Sequence, residues 1–343
     1  MTSFIPHPAL GRRLTAAAGV ALAVGFAFVA FFTSALHDPR PNALPVGVVG
    51  PAPVASQVQQ HLAAALPQGF DVRDYADEAA ARRAIREQDI DGAFIPDPSH
   101  PRLLLAGAAG AGVVNVLHAA FGSAAAASGA HLGVEDVAPV PVHDARGIAS
   151  FLLVAGTTLG SLVFGIVLFF AGGHAVTTPL RLRLAFVGAF AVVAGLVMAV
   201  CTDFVTDGLS GAFWGVAGIT ALLAAAVSLT TTALVRWLGT PGIALSALFL
   251  MLFSLPATGA AIGPEFVPDF YRGVAPALPS HAALNALRGT VYFGHGGTTG
   301  PILILTAWAA GALLVQLAAH AWRGEPPRPP ISGSPLDTVP GLV

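Results

Sequence analysis

IASFLLVAGTTLGSLVFGIVLFFAGGHAVTTPLRLRL, residues 148–184, decides how this chain is read. Residues 148–171 are almost wholly apolar or small. At about 1.5 Å rise per residue, such a helix crosses the roughly 30 Å hydrocarbon core of a bilayer. Gly172, Gly173 and Pro179 then break the run, and Arg181 and Arg183 precede a new apolar run from Leu184. Short loops rich in arginine stay on the cytoplasmic side. Placing this loop inside therefore fixes the side of every segment around it.

Composition agrees with that reading. The chain has 343 residues, 55% hydrophobic and only 10% charged, against about 25% charged in ordinary soluble proteins. Its mean hydropathy is +0.74. A net charge of −2 and the lack of any basic block give no footprint for nucleic acid. A single cysteine, Cys201, leaves no intramolecular disulfide, so a domain outside the membrane must rest on its own apolar core. The chain has no lysine, and a P-loop needs one on the β- and γ-phosphates, which excludes a Walker A site.

Taken in order, residues 1–13 form a short cytosolic segment ending in Arg12 and Arg13, followed by an apolar run over 14–36. That run exceeds the roughly 7–15 residues of a signal-peptide core, and 33–35 is a loose cleavage site, so the expectation is an uncleaved first transmembrane helix. Residues 37–146 are the long polar region and read as a small extracytoplasmic α/β domain. LPVGVVG at 44–50, FDVRDY at 70–75, DGAFIPD at 91–97 and RLLLAG at 102–107 read as strands. Helices are expected from Pro53, from Asp77 as cap to Gln88, and over 113–128, with an extended piece at 134–142. Strand–helix alternation predicts a partly parallel sheet. Beyond it, spans are expected at 148–171, 184–201, 213–234, 243–261 and 301–322, giving an α-helical polytopic protein with six spans and both termini cytoplasmic, in the cell membrane. Arg12, Arg13, Arg181, Arg183, Arg236, Arg323 and Arg328 satisfy the positive-inside rule, whereas Arg272 and Arg288 fall on the outer side. Residues 324–343, rich in Pro, Gly and Ser, read as a disordered cytosolic tail.

The segment between the last two spans is long for a structureless connection. Its second half, 276–294, reads as a helix capped by Ser280 and carrying His281, Asn285 and Arg288, with Tyr292 and Phe293 behind it as at a membrane interface. One reading dips this helix partway into the membrane at the outer mouth of a pathway; the other lays it on the surface. The pattern P-x-x-x-x-L-x-x-L-R-G at 279–289, after a proline-rich outer segment and before the last span, resembles the end of type-2 ABC exporter permeases. The layout of one span, an outer domain opening LPVGVVG, and five further spans resembles the phage-infection-protein branch and related actinobacterial permeases. The resemblance implies paired permease units, a homo- or heterodimer, driven by a separate cytosolic ATP-binding subunit. It also implies that the loop between the second and third spans touches that ATPase. Here the docking residues would be Thr177, Thr178, Pro179, Arg181 and Arg183, in a brief helix over 175–184 with Thr177 or Thr178 as cap and Pro179 at its first position. The plainer reading is a cytosolic turn with positive-inside arginines.

Other motifs are weaker. GAAGAG at 107–112 invites a nucleotide, but the run at 110–115 lacks the third small residue of a dinucleotide fingerprint. His131, Glu135, Asp136 and His143 match no standard metal spacing. Gly156-x-x-x-Gly160 allows close helix approach, within the chain or to a second copy. No span places an ionisable side chain at mid-depth, as proton-coupled carriers do; Gln316 and His320 sit near the inner end of the last span. No nucleophile–base pair emerges and no cofactor is expected. The sequence thus points to the permease of an ATP-driven exporter for hydrophobic or amphiphilic cargo, in contact with membrane lipid. A non-transporting scaffold or receptor whose outer domain binds a partner is the alternative.

Overall fold

In a computed structural model, residues 8–37, 39–127, 129–144, 147–171, 179–259 and 262–323 are described. The chain starts with α1 (Pro8–Leu36), apolar over Ala21–Leu36, and enters a five-stranded sheet. β1 (Leu44–Val49), α2 (Ala52–Ala65), β2 (Phe70–Tyr75), α3 (Glu78–Arg86) and β3 (Gly92–Ile95) alternate as their hydrophobic periods require. β4 (Arg102–Leu105), α4 (Ala111–Ala127) and β5 (Gly133–Asp136) complete the unit. The strand order is β2-β1-β3-β4-β5, with β1 parallel to both β2 and β3, β4 antiparallel to β3, and β5 parallel to β4. Helical crossovers explain the parallel pairs, and the short turn between β3 and β4 explains the antiparallel one. Asp77 accepts from the Ala80 amide at 2.7 Å and so starts α3. Leu44, Ile85, Ile90, Leu103, Leu104 and Leu117 lie wholly inside. The core also takes in Phe266 and Phe293, which belong to the helical part of the chain.

The helical part holds α5 (Ala149–Ala171), α6 (Leu180–Val200), α7 (Phe213–Leu238) and α8 (Thr240–Ser246), then α9 (Asp269–Val274), α10 (Pro279–Val291) and α11 (Thr299–Arg323). Five segments are long and apolar enough to cross a membrane: α5, α6, α7, α11, and the stretch that continues α8 through a π-helical turn, Ala247–Phe253, to Thr258. The protein is therefore a mostly helical membrane protein with a small α/β sheet region. The end of the bundle beside the sheet is called the sheet end below, the opposite one the far end.

α7 is the hub, contacting α5, α6, α8, α10 and α11. It is buried on nearly every side, as expected for a helix apolar all round. Small residues let its neighbours approach. A Cβ at Gly195 of α6 would overlap the Ala217 carbonyl oxygen and press on Ala221, and one at Gly165 of α5 would meet Thr231 at 2.9 Å. Gln316 of α11 donates from Nε2 to the Leu229 carbonyl at 3.0 Å and to Thr232 Oγ1 at 2.9 Å, a buried polar staple between spans. Gly156 and Gly160 have nothing within 4 Å of a built Cβ, so that pair plays no part in packing within the chain.

Two local expectations change. α6 begins at Leu180 rather than at 184, with Pro179 as its N-terminal flanking residue in extended conformation. Arg181 and Arg183 thus belong to the first turn of the spanning helix and not to a separate short one. Thr177 and Thr178 lie outside the described residues. At α10 the helix starts at Pro279 with Leu278 as the flanking residue, and the Ser280 hydroxyl is buried without a capping hydrogen bond.

Candidate functional site: a buried helix that clamps the sheet to the bundle

α10 does not lie on a surface. Residues 279–284 and 286–290 are buried, and the helix packs against α5, α7 and α11 at the sheet end. Leucines 284 and 287 face this packing, fully enclosed. On the same helix His281 and Asn285 are neighbours, Nε2 to Nδ2 at 2.9 Å, as their four-residue spacing dictates. The other side of α10 carries charge into the junction with the sheet domain.

Arg288 is 4% exposed. Its Nη1 donates to the Ala109 carbonyl at 3.4 Å, on the turn before α4. Within electrostatic reach stand Glu265, Tyr292, Asp91 and Asp144. Asp91 comes from the turn into β3, and Glu265 from the segment before α9. One oxygen of each, Asp91 Oδ2 and Glu265 Oε2, is buried and makes no hydrogen bond. Burial pushes the Asp91 carboxyl well above its usual range; the Glu265 charge adds to the rise and Arg288 opposes it. Burial pushes Glu265 up as well. Two buried carboxyls within reach of one guanidinium disfavour the state in which both are charged, since an unpaired buried charge is costly.

The surroundings lock this cluster from three elements. Asp144 accepts from the Ile148 amide at 2.9 Å and from the Ala149 amide at 3.0 Å, capping α5. Tyr292, just after α10, lies within hydrogen-bonding reach of Asp144, and its hydroxyl also faces the Gly208 carbonyl at 3.5 Å. Gln88, after α3, donates to the Gly296 carbonyl at 2.9 Å. Gly296 itself abuts the Arg86 carbonyl, and Gly297 the Glu87 carbonyl, so closely that neither has room for a side chain. Farther along, Asn42 Nδ2 donates to Asp269 at 2.6 Å and Arg272 bonds Asp269 at 2.7 Å, while Ser34 of α1 meets the Tyr271 hydroxyl at 2.6 Å. The segment between the last two spans is thus stitched to α1, to the sheet domain and to the bundle.

The remaining sequence candidates have structural employment. The turn at Gly107–Ala109 is filled by the chain itself: Asp136 Oδ1 accepts from the Gly107 amide at 2.9 Å, and Gly112 abuts the backbone of Ile262. Glu135 pairs with Arg82, and His143 stands 3.7 Å from Asp207, so neither is brought to Asp136 as a shared ligand set. Arg181 is exposed, whereas Arg183 turns inward toward Arg236 of α7. An apolar groove of about 670 Å³ runs between α7 and α11, lined by Ala233, Leu234, Trp237, Trp308, Gly311 and Ala312 among others. Asp91, Glu265 and Asp144 escaped the sequence reading. A signal existed in Arg272 and Arg288, the two arginines that departed from the expected positive-inside pattern and that have acids near them.

Comparison with protein-family models, with curated proteins and with solved structures finds no match. Fold and site together define a polytopic helical membrane protein whose α/β unit is clamped to its spans through a buried helix.

Proposed function

We propose that this protein is the permease subunit of an ABC-type exporter, with α1 as a sixth span, the sheet domain outside the cell membrane, both termini in the cytoplasm, and a second permease unit beside it. The observation that carries this reading is α10: a short helix, buried among the spans, placed immediately before the last of them and joined to the outer domain by an ion cluster. That arrangement moves the outer domain and the last span together. The sequence pattern at 279–289 that resembles type-2 exporter permeases is this same helix. The α7–α11 groove lies in the volume range of ligand sites, roughly 300–1,000 Å³, and its apolar wall suits a hydrophobic or amphiphilic cargo. No lysine means no P-loop, so ATP turnover belongs to a separate cytosolic subunit.

The far-end loop before α6 is then the place where that subunit pushes. Arg181, exposed in the first turn of α6 beside that loop, offers charge-assisted hydrogen bonds to an acidic groove. In vesicles reconstituted with the cognate ATPase, Arg181→Ala is expected to cut cargo-stimulated ATP hydrolysis about tenfold, the loss of one strong charged contact, with insertion unchanged. Full stimulation in the variant removes the docking assignment. A chain that purifies without any ATPase, and whose vesicles move no amphiphile on adding ATP, removes the exporter reading and favours a scaffold or receptor.

A further inference from the structure

α5 and α6 both pack on α7 but touch each other little, and at the sheet end their separation leaves a cavity of about 510 Å³. Leu152 and Leu153 of α5 and Met198 of α6 give it an apolar wall. Leu152 is 58% exposed, so this wall reaches the outer surface of the bundle. The opposite rim is polar. His143 and Asp144 come from the turn before α5, and Thr202 from the π-helical turn Cys201–Val205 that ends α6. Such turns are frequent at functional sites. Asp144 is occupied by the cap of α5, and Thr202 donates to the Met198 carbonyl at 3.0 Å. Asp207, beside the rim at 3.7 Å from His143 Nε2, keeps its carboxylate more than half exposed. Among the described residues that line the cavity there is no arginine. Exposed Phe204 and Trp214, on the same connection between α6 and α7, are the aromatic side chains expected where a bilayer meets water. That level puts the apolar wall among acyl chains and the acidic rim in water.

We infer that this cavity binds a single-chain amphiphile with an amine headgroup, its chain against Leu152, Leu153 and Met198 and its ammonium at Asp207. The volume lies within the roughly 300–1,000 Å³ of small-ligand sites. An ammonium donates hydrogen bonds and carries positive charge, and the rim offers oxygens that accept, two of its side chains being carboxylates. A carboxylate or phosphate head would meet like charge at Asp144 and Asp207, which is costly at close range. The site rests on α5 and α6 crossing a membrane and is independent of the exporter assignment.

Cys201, the chain's single cysteine, is exposed and lines the cavity, so its labelling reports occupancy. The test uses the full chain in phosphatidylcholine nanodiscs with a neutral methanethiosulfonate reagent. Decylamine, charged at pH 7 as a lysine side chain is, is expected to slow labelling of Cys201 about tenfold near ten times its Kd, and decanoate less than about twofold. Labelling of Thr240→Cys at the far end, on a Cys201→Ser background, is expected to respond to neither. Asp207→Asn suits the positive φ of this position and should raise the half-protecting concentration of decylamine about two- to fivefold, the share of one exposed ion pair. Leu152→Trp, which fills the cavity, should slow labelling before any amphiphile is added and leave decylamine without further effect. No protection by decylamine, as when bulk lipid occupies the cavity, overturns the site. So does equal protection by decanoate, equal slowing at Thr240→Cys, or an unchanged response in Asp207→Asn. A preference for decanoate, which Arg146, two positions after Asp144, would produce by reaching the rim, overturns the amine assignment.

Discussion

Arg288→Ala is expected to unseat the sheet domain from the helices and to lower stability by about 3–5 kcal/mol, the usual cost of removing one member of a buried charge group. The side chain is almost fully enclosed, and its loss leaves buried Asp91 without a counter-charge and Glu265 with Arg272 alone. The sign with pH follows from the direction of both carboxyls. Each is raised above its unfolded value by burial, so its contribution is fully present below about pH 4 and is lost as pH rises through the folded value. Without Arg288 the rise is larger, because the cation that opposes it at both carboxyls is gone and Arg272 remains near Glu265 alone. The variant should therefore melt nearest to wild type in mildly acidic buffer and furthest below it at pH 8. Combining Asp91→Asn, Glu265→Gln and Arg288→Met should flatten this pH dependence and recover much of the loss, since an apolar replacement of a whole buried ion group is often neutral. Thermal melts in detergent at pH 5 and pH 8 check it. A single variant that melts like wild type at pH 8 shows that the cluster does not clamp the domain.

Gly195→Ala is expected to be destabilising by about 1–3 kcal/mol although it adds only one methyl group. The new Cβ would run into the Ala217 carbonyl oxygen, with Ala221 Cβ at 2.9 Å and its backbone nitrogen at 3.1 Å. These are largely backbone atoms of the central helix, and they cannot rotate away. α6 must shift off α7, the helix it packs against most among the described residues. Gly188 on the same helix is the matched control, with nothing within 4 Å of its built Cβ. Gly188→Ala should gain up to about 0.5–1 kcal/mol from helix propensity alone. Opposite signs for two identical substitutions, read as melting temperature and as the yield of monodisperse protein, support the α6–α7 packing. Equal effects contradict it.

What could be read from the residues divides by range. Apolar runs and alternating strands depend on local periodicity, so five of the six expected spans, the sheet and the Asp77 cap were legible before any tertiary contact was known. The clamp was not, because its members come from 91, 265 and 288 in the chain, and no local pattern says that an aspartate before β3 faces a helix nearly two hundred positions later. Arginine placement held half the answer: Arg288 broke the positive-inside rule and so implied nearby acids. Glycines misled in the other direction. Gly156 and Gly160 have the spacing of a helix interface but face open space, whereas the single Gly195 sits at a close approach of α6 to α7. Spacing gives a smooth face, and only the fold decides what meets it. Arg183 and Arg181 look equivalent two positions apart, yet a helical turn places one inward and the other in solvent.

The orientation on which the proposed function depends has a direct measurement. On a Cys201→Ser background, single cysteines at exposed Ser99 in the sheet domain and exposed Thr240 at the far end are treated in intact cells with a membrane-impermeant maleimide. Ser99→Cys is predicted to label from outside, and Thr240→Cys only after permeabilisation. Labelling of Thr240→Cys in intact cells with Ser99→Cys protected would place the arginine end outside, and with it would fall the cytosolic docking loop and the exporter assignment.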